Sequence, residues 1–224
     1  MCDFVNISDK RVRKIIACEN NEKFCDLIKM GFRVDITRSQ IANQSPYFSF
    51  VRISVAEKLK KARKTLPPNI DFLIKEGYRP LSQQKQSYEK VKEYVTNLDK
   101  NYSDEEIDRR TNLLCASVDV APHPAGAAVD LTLFDKSSGK EFNLGTEYNA
   151  SPFETDNATF LHADNISYEA KALRVILVQA MDSVGFVCYP SEWWHWSYGD
   201  KYWAFINGKD KSIFSAVSEE NIVF

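Results

Sequence analysis

Two short segments constrain the fold of this chain more than any other feature, because each carries a histidine close to a carboxylate. His123 and Asp130 lie in the first segment, and Glu192 and His195 lie in the second, more than sixty positions later along the chain. The chain has only 3 histidines in 224 residues. Both segments are otherwise apolar and rich in glycine, alanine or tryptophan, so we expect the fold to bring their polar side chains into one site.

The chemistry of these four side chains indicates a metal site. His123 and Asp130 are seven residues apart (130 − 123), and a loop followed by a strand of aliphatic residues would hold both over one position. With His195 they make two imidazoles and one carboxylate, which is the ligand count of a catalytic zinc site with one open position. Glu192, three residues before His195 (195 − 192), is then free to act as a general base on water.

Each of these residues also has an ordinary structural interpretation. A single histidine in an apolar segment is more often a hydrogen-bonded core residue, and an aspartate at the start of a strand commonly forms a turn or a cap. The metal site is favoured because both histidines have an acidic neighbour at a definite spacing. Two histidines and one carboxylate could instead hold iron(II) for an oxygenase, but Glu192 would have no role in that chemistry.

Three motifs occur in a fixed order along the chain. Residues 77–80 read Gly-Tyr-Arg-Pro, residues 123–130 read His-Pro-Ala-Gly-Ala-Ala-Val-Asp, and residues 192–195 read Glu-Trp-Trp-His. Together they resemble the motif set of the zinc D-alanyl-D-alanine dipeptidases of the vancomycin-resistance type, within the wider family of D-Ala-D-Ala metallopeptidases. The resemblance spans about residues 50–205.

The resemblance implies both an activity and the residues that perform it. It implies one zinc ion per chain, held by His123, Asp130 and His195, and hydrolysis of the D-Ala-D-Ala dipeptide. It also implies that Glu192 is the general base and that Arg79 is the cation that stabilises the transition state. Without the other two motifs, an arginine before a proline would more simply cap a helix or pair with a surface carboxylate.

The predicted substrate site includes Tyr78 and Trp194. At two further positions of this site, the chain departs from the family pattern. Ala121 stands where the dipeptidases have a serine, and Asn149 stands where they have an aspartate that holds the ammonium of the dipeptide. An asparagine carries no formal charge, so a charge-assisted hydrogen bond, about twice as strong as a neutral one, would be missing. The alternatives are a D,D-carboxypeptidase for longer or N-blocked peptidoglycan peptides and a zinc-bound module without turnover.

Composition limits the class of protein further. The 29 basic and 31 acidic residues give a net charge of −2, which argues against a large nucleic-acid surface. At 224 residues and 44% hydrophobic content, we expect one domain over residues 1–224, with a catalytic core at about residues 50–206. The first 50 residues have the weakest pattern.

The location of the protein is predicted from what the chain lacks. No run approaches the roughly 18 apolar residues that cross a bilayer, and the first residues lack the basic start and apolar core of a signal peptide. We therefore expect a cytoplasmic protein; the alternative is a periplasmic protein or a lipoprotein with Cys2 at its mature end. The 5 cysteines are odd in number and show no Cys-x-x-Cys spacing, which predicts reduced thiols.

Hydrophobic periodicity predicts an α+β fold, with an antiparallel sheet and helices packed on one side, and the resemblance implies the hedgehog/D-Ala-D-Ala peptidase fold. Glu192 and His195 are an odd number of residues apart, so we expect a strand to begin or bulge between them.

The polar stretch 145–165 is expected to be a loop that could close over the site. His162 lies in this loop and is either a substrate contact or, as we favour, an ordinary loop residue. Helices are expected at about 21–29, 54–66, 82–97, 103–117 and 167–184, and strands at 71–75, 129–134, 186–189, 194–198 and 202–206.

Overall fold

The structure is a computed structural model that describes residues 4–37 and 44–224. Cys2, on which the lipoprotein alternative depends, lies outside the described residues. The helices are α1 (Lys10–Arg13), α2 (Ile53–Arg63), α3 (Leu81–Leu98), α4 (Asp104–Thr111), α5 (Tyr168–Asp182) and α6 (Lys201–Ile206), with 3-10 turns at His123–Ala125 and Glu219–Asn221. The strands are β1 (Phe24–Asp26), β2 (Arg33–Val34), β3 (Phe50–Arg52), β4 (Ile70–Glu76), β5 (Ala128–Asp135), β6 (Val187–Cys188) and β7 (His195–Ser197).

A five-stranded sheet forms the centre of the described fold, in the order β2-β4-β5-β7-β6. Strands β4, β5, β7 and β6 pair antiparallel, whereas the edge strand β2 pairs parallel to β4. Strands β1 and β3 form a separate antiparallel pair. The predicted α+β class with an antiparallel sheet is confirmed, and the parallel pairing of the edge strand β2 departs from it.

Alternate residues of β5 serve different purposes. Val129, Leu131 and Leu133 point into the main hydrophobic core, which also contains buried residues of α2 and α5. Asp130 and Thr132 point to the opposite face and are also buried, because successive side chains of a strand alternate between faces. The central strand therefore carries the core on one face and the polar residues of the site on the other.

The predicted helix starts are partly correct. Ser167 and Ser103 cap α5 and α4, because the Ser167 hydroxyl accepts a hydrogen bond from the Ala170 amide and the Ser103 hydroxyl accepts one from the Glu106 amide. The helix predicted to begin at residue 54 starts one residue earlier, at Ile53. Ser54 is already the second residue of α2, and its amide donates to the Glu22 carboxylate at 2.6 Å, so a distant side chain takes the capping role.

Three secondary-structure predictions are wrong. Residues 21–29 do not form a helix, because Phe24–Asp26 pairs with β3 and buries Phe24. Residues 202–206 belong to helix α6, whose start is fixed by Asp200 accepting a hydrogen bond from the Trp203 amide at 3.0 Å; the aromatic run that suggested a strand is buried in a helix instead. Helix α4 ends at Thr111 rather than near residue 117.

The longest of the described helices is polar. Helix α3 spans 18 residues, yet only Gln84 and Val95 of its side chains are buried. In the described parts of the chain, no helix has both the length and the apolar character that crossing a membrane requires.

Candidate active site

A short turn and a neighbouring backbone carbonyl fix the orientation of His123. The turn His123–Ala125 ends at Gly126, where φ is +65° and an added Cβ would lie 2.2 Å from the Phe24 ring, so that only glycine fits there. The His123 ring donates from Nδ1 to the carbonyl oxygen of Gly77 at 2.6 Å. With its proton on Nδ1, the neutral ring presents the lone pair of Nε2 to the cavity.

Strand pairing brings the other two candidate ligands together. Asp130 of β5 lies directly opposite His195 of β7 in the antiparallel register, and side chains opposite each other project from the same face. Strand β7 begins at His195, and Glu192 lies in the preceding turn, where its carbonyl oxygen accepts a hydrogen bond from the His195 amide at 3.0 Å. The prediction that the strand begins between Glu192 and His195 is confirmed.

The three candidate ligand atoms converge on one point. His123 Nε2 lies 3.2 Å from His195 Nδ1, His195 Nδ1 lies 2.9 Å from Asp130 Oδ1, and Asp130 Oδ1 lies 3.4 Å from His123 Nε2. A tetrahedral zinc ion with bonds of about 2.0–2.1 Å keeps its ligand atoms about 3.3 Å apart. The three side chains are buried, and their identity and spacing fit such an ion.

The charges of these residues depend on one another. Burial alone would raise the pKa of Asp130, but the adjacent imidazoles of His123 and His195 hold it below the ordinary value for an aspartate. Burial alone would lower the pKa of His123, and the Asp130 carboxylate raises it instead. In Glu192, whose Oε2 lies 3.9 Å from His195 Nδ1, burial raises the pKa well above the usual range, and the charge of Asp130 adds to this effect.

Arg79 follows β4 and is held by two side chains that the sequence motifs do not include. Glu76 accepts hydrogen bonds from its Nε at 2.6 Å and from its Nη2 at 2.8 Å, and Gln84 accepts one from its Nη1 at 3.1 Å. Burial would lower the pKa of Arg79, but the Glu76 carboxylate raises it well above the ordinary value. A guanidinium has five N–H groups, so these contacts leave two of them for another ligand.

The candidate ligands, Glu192 and Arg79 share one small cavity of about 40 Å³. Of the predicted substrate-contacting residues, Asn149 lines this cavity. Ile7, from the N-terminal part of the chain, also lines it, and its amide donates to the Tyr189 hydroxyl at 3.2 Å. The remaining lining residues come mostly from the segment between α4 and β5 and include Asn112, Leu114, Cys115, Ala116 and Pro122.

The other three predicted substrate-contacting residues are buried outside the lining of this cavity. The Tyr78 hydroxyl donates to the carbonyl oxygen of Val217 at 2.8 Å. Ala121 lines a separate cavity of about 30 Å³. Trp194 packs edge-to-face on the Tyr148 ring, with 5.7 Å between the ring centroids. His162 is exposed and does not line this cavity, and its role as an ordinary loop residue stays a prediction.

Hydrogen bonds connect the polar loop at residues 145–165 to the rest of the fold. Arg174 of α5 is buried and donates to the carbonyl oxygens of Leu144, Ala158 and Phe160 at 2.7, 2.8 and 2.5 Å. The Trp193 amide donates to the carbonyl oxygen of Thr159 at 3.0 Å. These bonds hold the loop so that it supplies Tyr148 and Asn149 to the site from a fixed position.

The α+β fold and the buried His-Asp-His group beside a glutamate and an arginine define a metallopeptidase. The model of the peptidase M15 family, described as D-ala-D-ala dipeptidase, matches residues 30–215, and the chain belongs to this family. The family resemblance predicted from the three motifs is thereby confirmed.

Two proteins of similar sequence agree with this assignment. The chain is 28% identical over 185 residues to a D-alanyl-D-alanine dipeptidase of Synechocystis sp., covering 72% of this chain and 73% of that protein. It is also 28% identical over 149 residues to a D-alanyl-D-alanine dipeptidase of Enterococcus faecium, covering 66% and 72%. A solved structure of the LdcB LD-carboxypeptidase aligns with a TM-score of 0.37 at 19% identity, covering 81% of this chain and 73% of that chain.

Proposed function

We propose that this chain hydrolyses the peptide bond of D-Ala-D-Ala with a zinc ion held by His123, Asp130 and His195. The observation that carries the proposal is that Glu192 and Arg79 line the same buried cavity as these three side chains. A zinc ion bound there would supply Lewis-acid activation of water and of the scissile carbonyl group. The relatives named D-alanyl-D-alanine dipeptidase support this choice of substrate.

In the proposed reaction, Glu192 moves the proton. Its carboxylate accepts a proton from the attacking water and returns it to the nitrogen of the leaving D-alanine. A general base works best when its pKa lies near the operating pH, and the burial of Glu192 raises its pKa in that direction. The carboxylate is therefore a stronger base than an exposed glutamate.

Arg79 stabilises the negative charge that develops on the carbonyl oxygen. The two N–H groups that Glu76 and Gln84 do not use are available for that oxygen. Because the Arg79 side chain is only 14% exposed and is held by Glu76 and Gln84, it is oriented before the substrate binds. Such orientation is the condition for effective electrostatic stabilisation of a transition state.

A second candidate function is favoured by Asn149. The family resemblance places the ammonium of a free dipeptide at this position, and a neutral amide attracts it less than a carboxylate does. A D,D-carboxypeptidase that cleaves longer or N-blocked peptidoglycan peptides needs no ammonium contact. The cavity of about 40 Å³ is smaller than either substrate, so the dipeptide and a longer peptide both require Ile7 and its neighbours to move aside.

The test is a comparison of two substrates with one matched variant. Purified protein loaded with one equivalent of zinc is given D-Ala-D-Ala or an N-acetylated tripeptide ending in D-Ala-D-Ala, and released D-Ala is quantified. Glu192→Gln, which keeps the size of the side chain but is a far weaker proton acceptor, should lose about 100- to 10,000-fold in kcat while retaining zinc.

Each result has a distinct meaning. Release from the dipeptide that Glu192→Gln abolishes establishes the dipeptidase, whereas release from the tripeptide alone establishes the carboxypeptidase. Zinc binding without release from either substrate would favour a binding module, against which the presence of both Glu192 and Arg79 argues. A protein that binds no zinc would overturn the proposal. The cytoplasmic location and the single-domain organisation stay predictions from the sequence.

A further inference from the structure

We infer that Tyr148 and Glu76 are positioning residues that connect the Asp130 carboxylate to the Arg79 guanidinium. This inference rests on the proposed function, because it assigns roles toward the zinc ligand and the oxyanion-binding arginine. Neither residue belongs to the three sequence motifs, and both are buried. They act through Asp130 and Arg79 rather than by contact with the substrate.

The Tyr148 hydroxyl determines which oxygen of Asp130 faces the histidines. Asp130 Oδ1 lies 2.9 Å from His195 Nδ1, while Asp130 Oδ2 accepts a hydrogen bond from the Tyr148 hydroxyl at 3.0 Å. With Oδ2 held in this way, the carboxylate cannot rotate freely, and a single oxygen is presented as a ligand. Outer partners of this kind typically change metal affinity by about 10- to 100-fold.

The same hydroxyl also meets the partner of the arginine. Tyr148 Oη lies 3.3 Å from Glu76 Oε2, which itself accepts a hydrogen bond from Arg79 Nη2 at 2.8 Å. The hydroxyl has one hydrogen and two carboxylates within reach, and the shorter distance favours Asp130. A continuous series of contacts thus runs from the candidate metal ligand to the candidate oxyanion donor.

An irregularity in β4 places Glu76 in this series. Ile74 pairs with Leu131 of β5, but Glu76 pairs with the very next position, Asp130, so Lys75 is an extra residue. Without the irregularity, strict alternation would turn Glu76 toward the core face of Phe72 and Ile74. A bulge of this kind re-aims a side chain next to an active site.

The cost of burial explains why these contacts act together. Glu76 and Asp130 are 3% and 2% exposed, and a buried carboxylate is unfavourable unless it is paired and hydrogen-bonded. Arg79 neutralises Glu76, and a zinc ion held by Asp130 and the two histidines would neutralise Asp130. The Tyr148 hydroxyl lies between the two pairs, where it donates to Asp130 and contacts Glu76.

Two variants should separate the two roles. Tyr148→Phe removes only the hydroxyl that holds Asp130 Oδ2, so we expect the zinc dissociation constant to rise about tenfold or more. Glu76→Gln removes the charge that orients Arg79 but leaves the Tyr148 hydroxyl for Asp130. We expect its zinc dissociation constant to stay within about threefold of wild type, while kcat at saturating zinc falls on the order of 100-fold.

The experiment measures zinc affinity by competition with a chromophoric chelator, alongside kcat on D-Ala-D-Ala at saturating zinc. Tyr88→Phe is the matched control, because the Tyr88 hydroxyl also donates to a carboxylate, Asp108 at 2.8 Å, but lies outside the cavity lining. Circular dichroism checks that each variant is folded. If Tyr148→Phe does not fold, the kcat of Glu76→Gln tests the inference independently.

The outcomes distinguish this inference from the proposed function. Weaker zinc binding in Tyr148→Phe but not in Tyr88→Phe, together with the kcat loss of Glu76→Gln, supports the inference. Equal zinc affinity in wild type and Tyr148→Phe, or full kcat in Glu76→Gln, overturns the inference and leaves the proposed function intact. A wild-type protein that binds no zinc overturns both.

Discussion

The Nε2 atom of His123 lies 3.2 Å from the Nδ1 atom of His195, and Asp130 Oδ1 is within 3.4 Å of both. Because His123 donates its Nδ1 proton to the Gly77 carbonyl, its Nε2 presents a lone pair toward the other ring. Two imidazole nitrogens and a carboxylate oxygen this close together need a shared cation, either a proton or a metal ion. On the proposed zinc assignment, the stability of the fold should depend on the metal.

Metal removal should lower the unfolding temperature. Zinc at about 1,000 times its dissociation constant stabilises a folded protein by about 4 kcal/mol, which for a chain of this size corresponds to a rise on the order of 10 °C. We expect chelator treatment to remove this stabilisation and added zinc to restore it, as followed by thermal unfolding. His123→Ala should show no zinc-dependent shift, whereas His162→Ala, which changes an exposed histidine, should retain it. A full shift in His123→Ala would contradict the ligand assignment.

Arg79→Ala should reduce turnover much more than metal content. Loss of an oriented oxyanion donor typically lowers kcat by about 100- to 1,000-fold, while the three ligand side chains are untouched. The measurement is kcat together with bound zinc per chain. Arg109→Ala is a matched control, because Arg109 also pairs through two nitrogens with a glutamate three residues earlier but is 48% exposed at its side chain. Equal loss of zinc and turnover in Arg79→Ala would make the arginine structural.

Asn149→Asp should shift substrate preference toward the free dipeptide. Asn149 has a φ of +61°, a conformation that aspartate also tolerates, so the exchange adds charge without changing the backbone. A charge-assisted contact to the substrate ammonium should lower KM for D-Ala-D-Ala by roughly tenfold. The N-acetylated tripeptide, which lacks that ammonium, is the control and should show no gain. Equal changes in KM for both substrates would exclude an ammonium contact at this position.

The site residues predicted from the sequence all lie within short, contiguous motifs. His123 and Asp130 occur in one segment and Glu192 and His195 in another, so chemistry and spacing are both visible along the chain. Strand pairing then brings Asp130 opposite His195, which the strand assignments allow but do not specify. The convergence of these four side chains was predictable because each pair lies in one contiguous segment.

The supporting residues were not predictable for a physical reason. Glu76 reaches the site face only because β4 carries an irregularity after Ile74, and an extra residue in a strand leaves no clear sequence signal. Tyr148 comes from the loop and meets Asp130 through a long-range contact. The wrongly predicted helix at residues 21–29 failed similarly, because pairing with β3 overrides the local propensity of Phe24–Asp26.

An ion-pair group away from the active site should make stability depend on pH. Lys75 is fully buried and donates to Asp35 and to Glu141, each at 2.7 Å. Burial alone would raise the pKa of Asp35, but Lys75 and Thr37 outweigh it and lower the pKa from 3.8 to about 2. Because the folded pKa is depressed, the stabilisation is present above about pH 4 and is lost as the pH falls through about 2.

Asp35→Asn should therefore destabilise the protein at pH 7 by about 1–3 kcal/mol, since it removes one of the two carboxylates that neutralise a buried ammonium. The difference in free energy of unfolding between wild type and variant should shrink as the pH is lowered from 7 to 3, because the wild-type contribution itself declines. Urea unfolding at several pH values measures this difference.

Asp164→Asn is the control for this prediction. The Asp164 side chain is fully exposed, and its pair with Lys171 spans 3.5 Å. We therefore expect its free energy of unfolding to change by less than about 0.5 kcal/mol. A destabilisation by Asp35→Asn that stays constant down to pH 3 would show that Lys75 does not depend on the charge of Asp35.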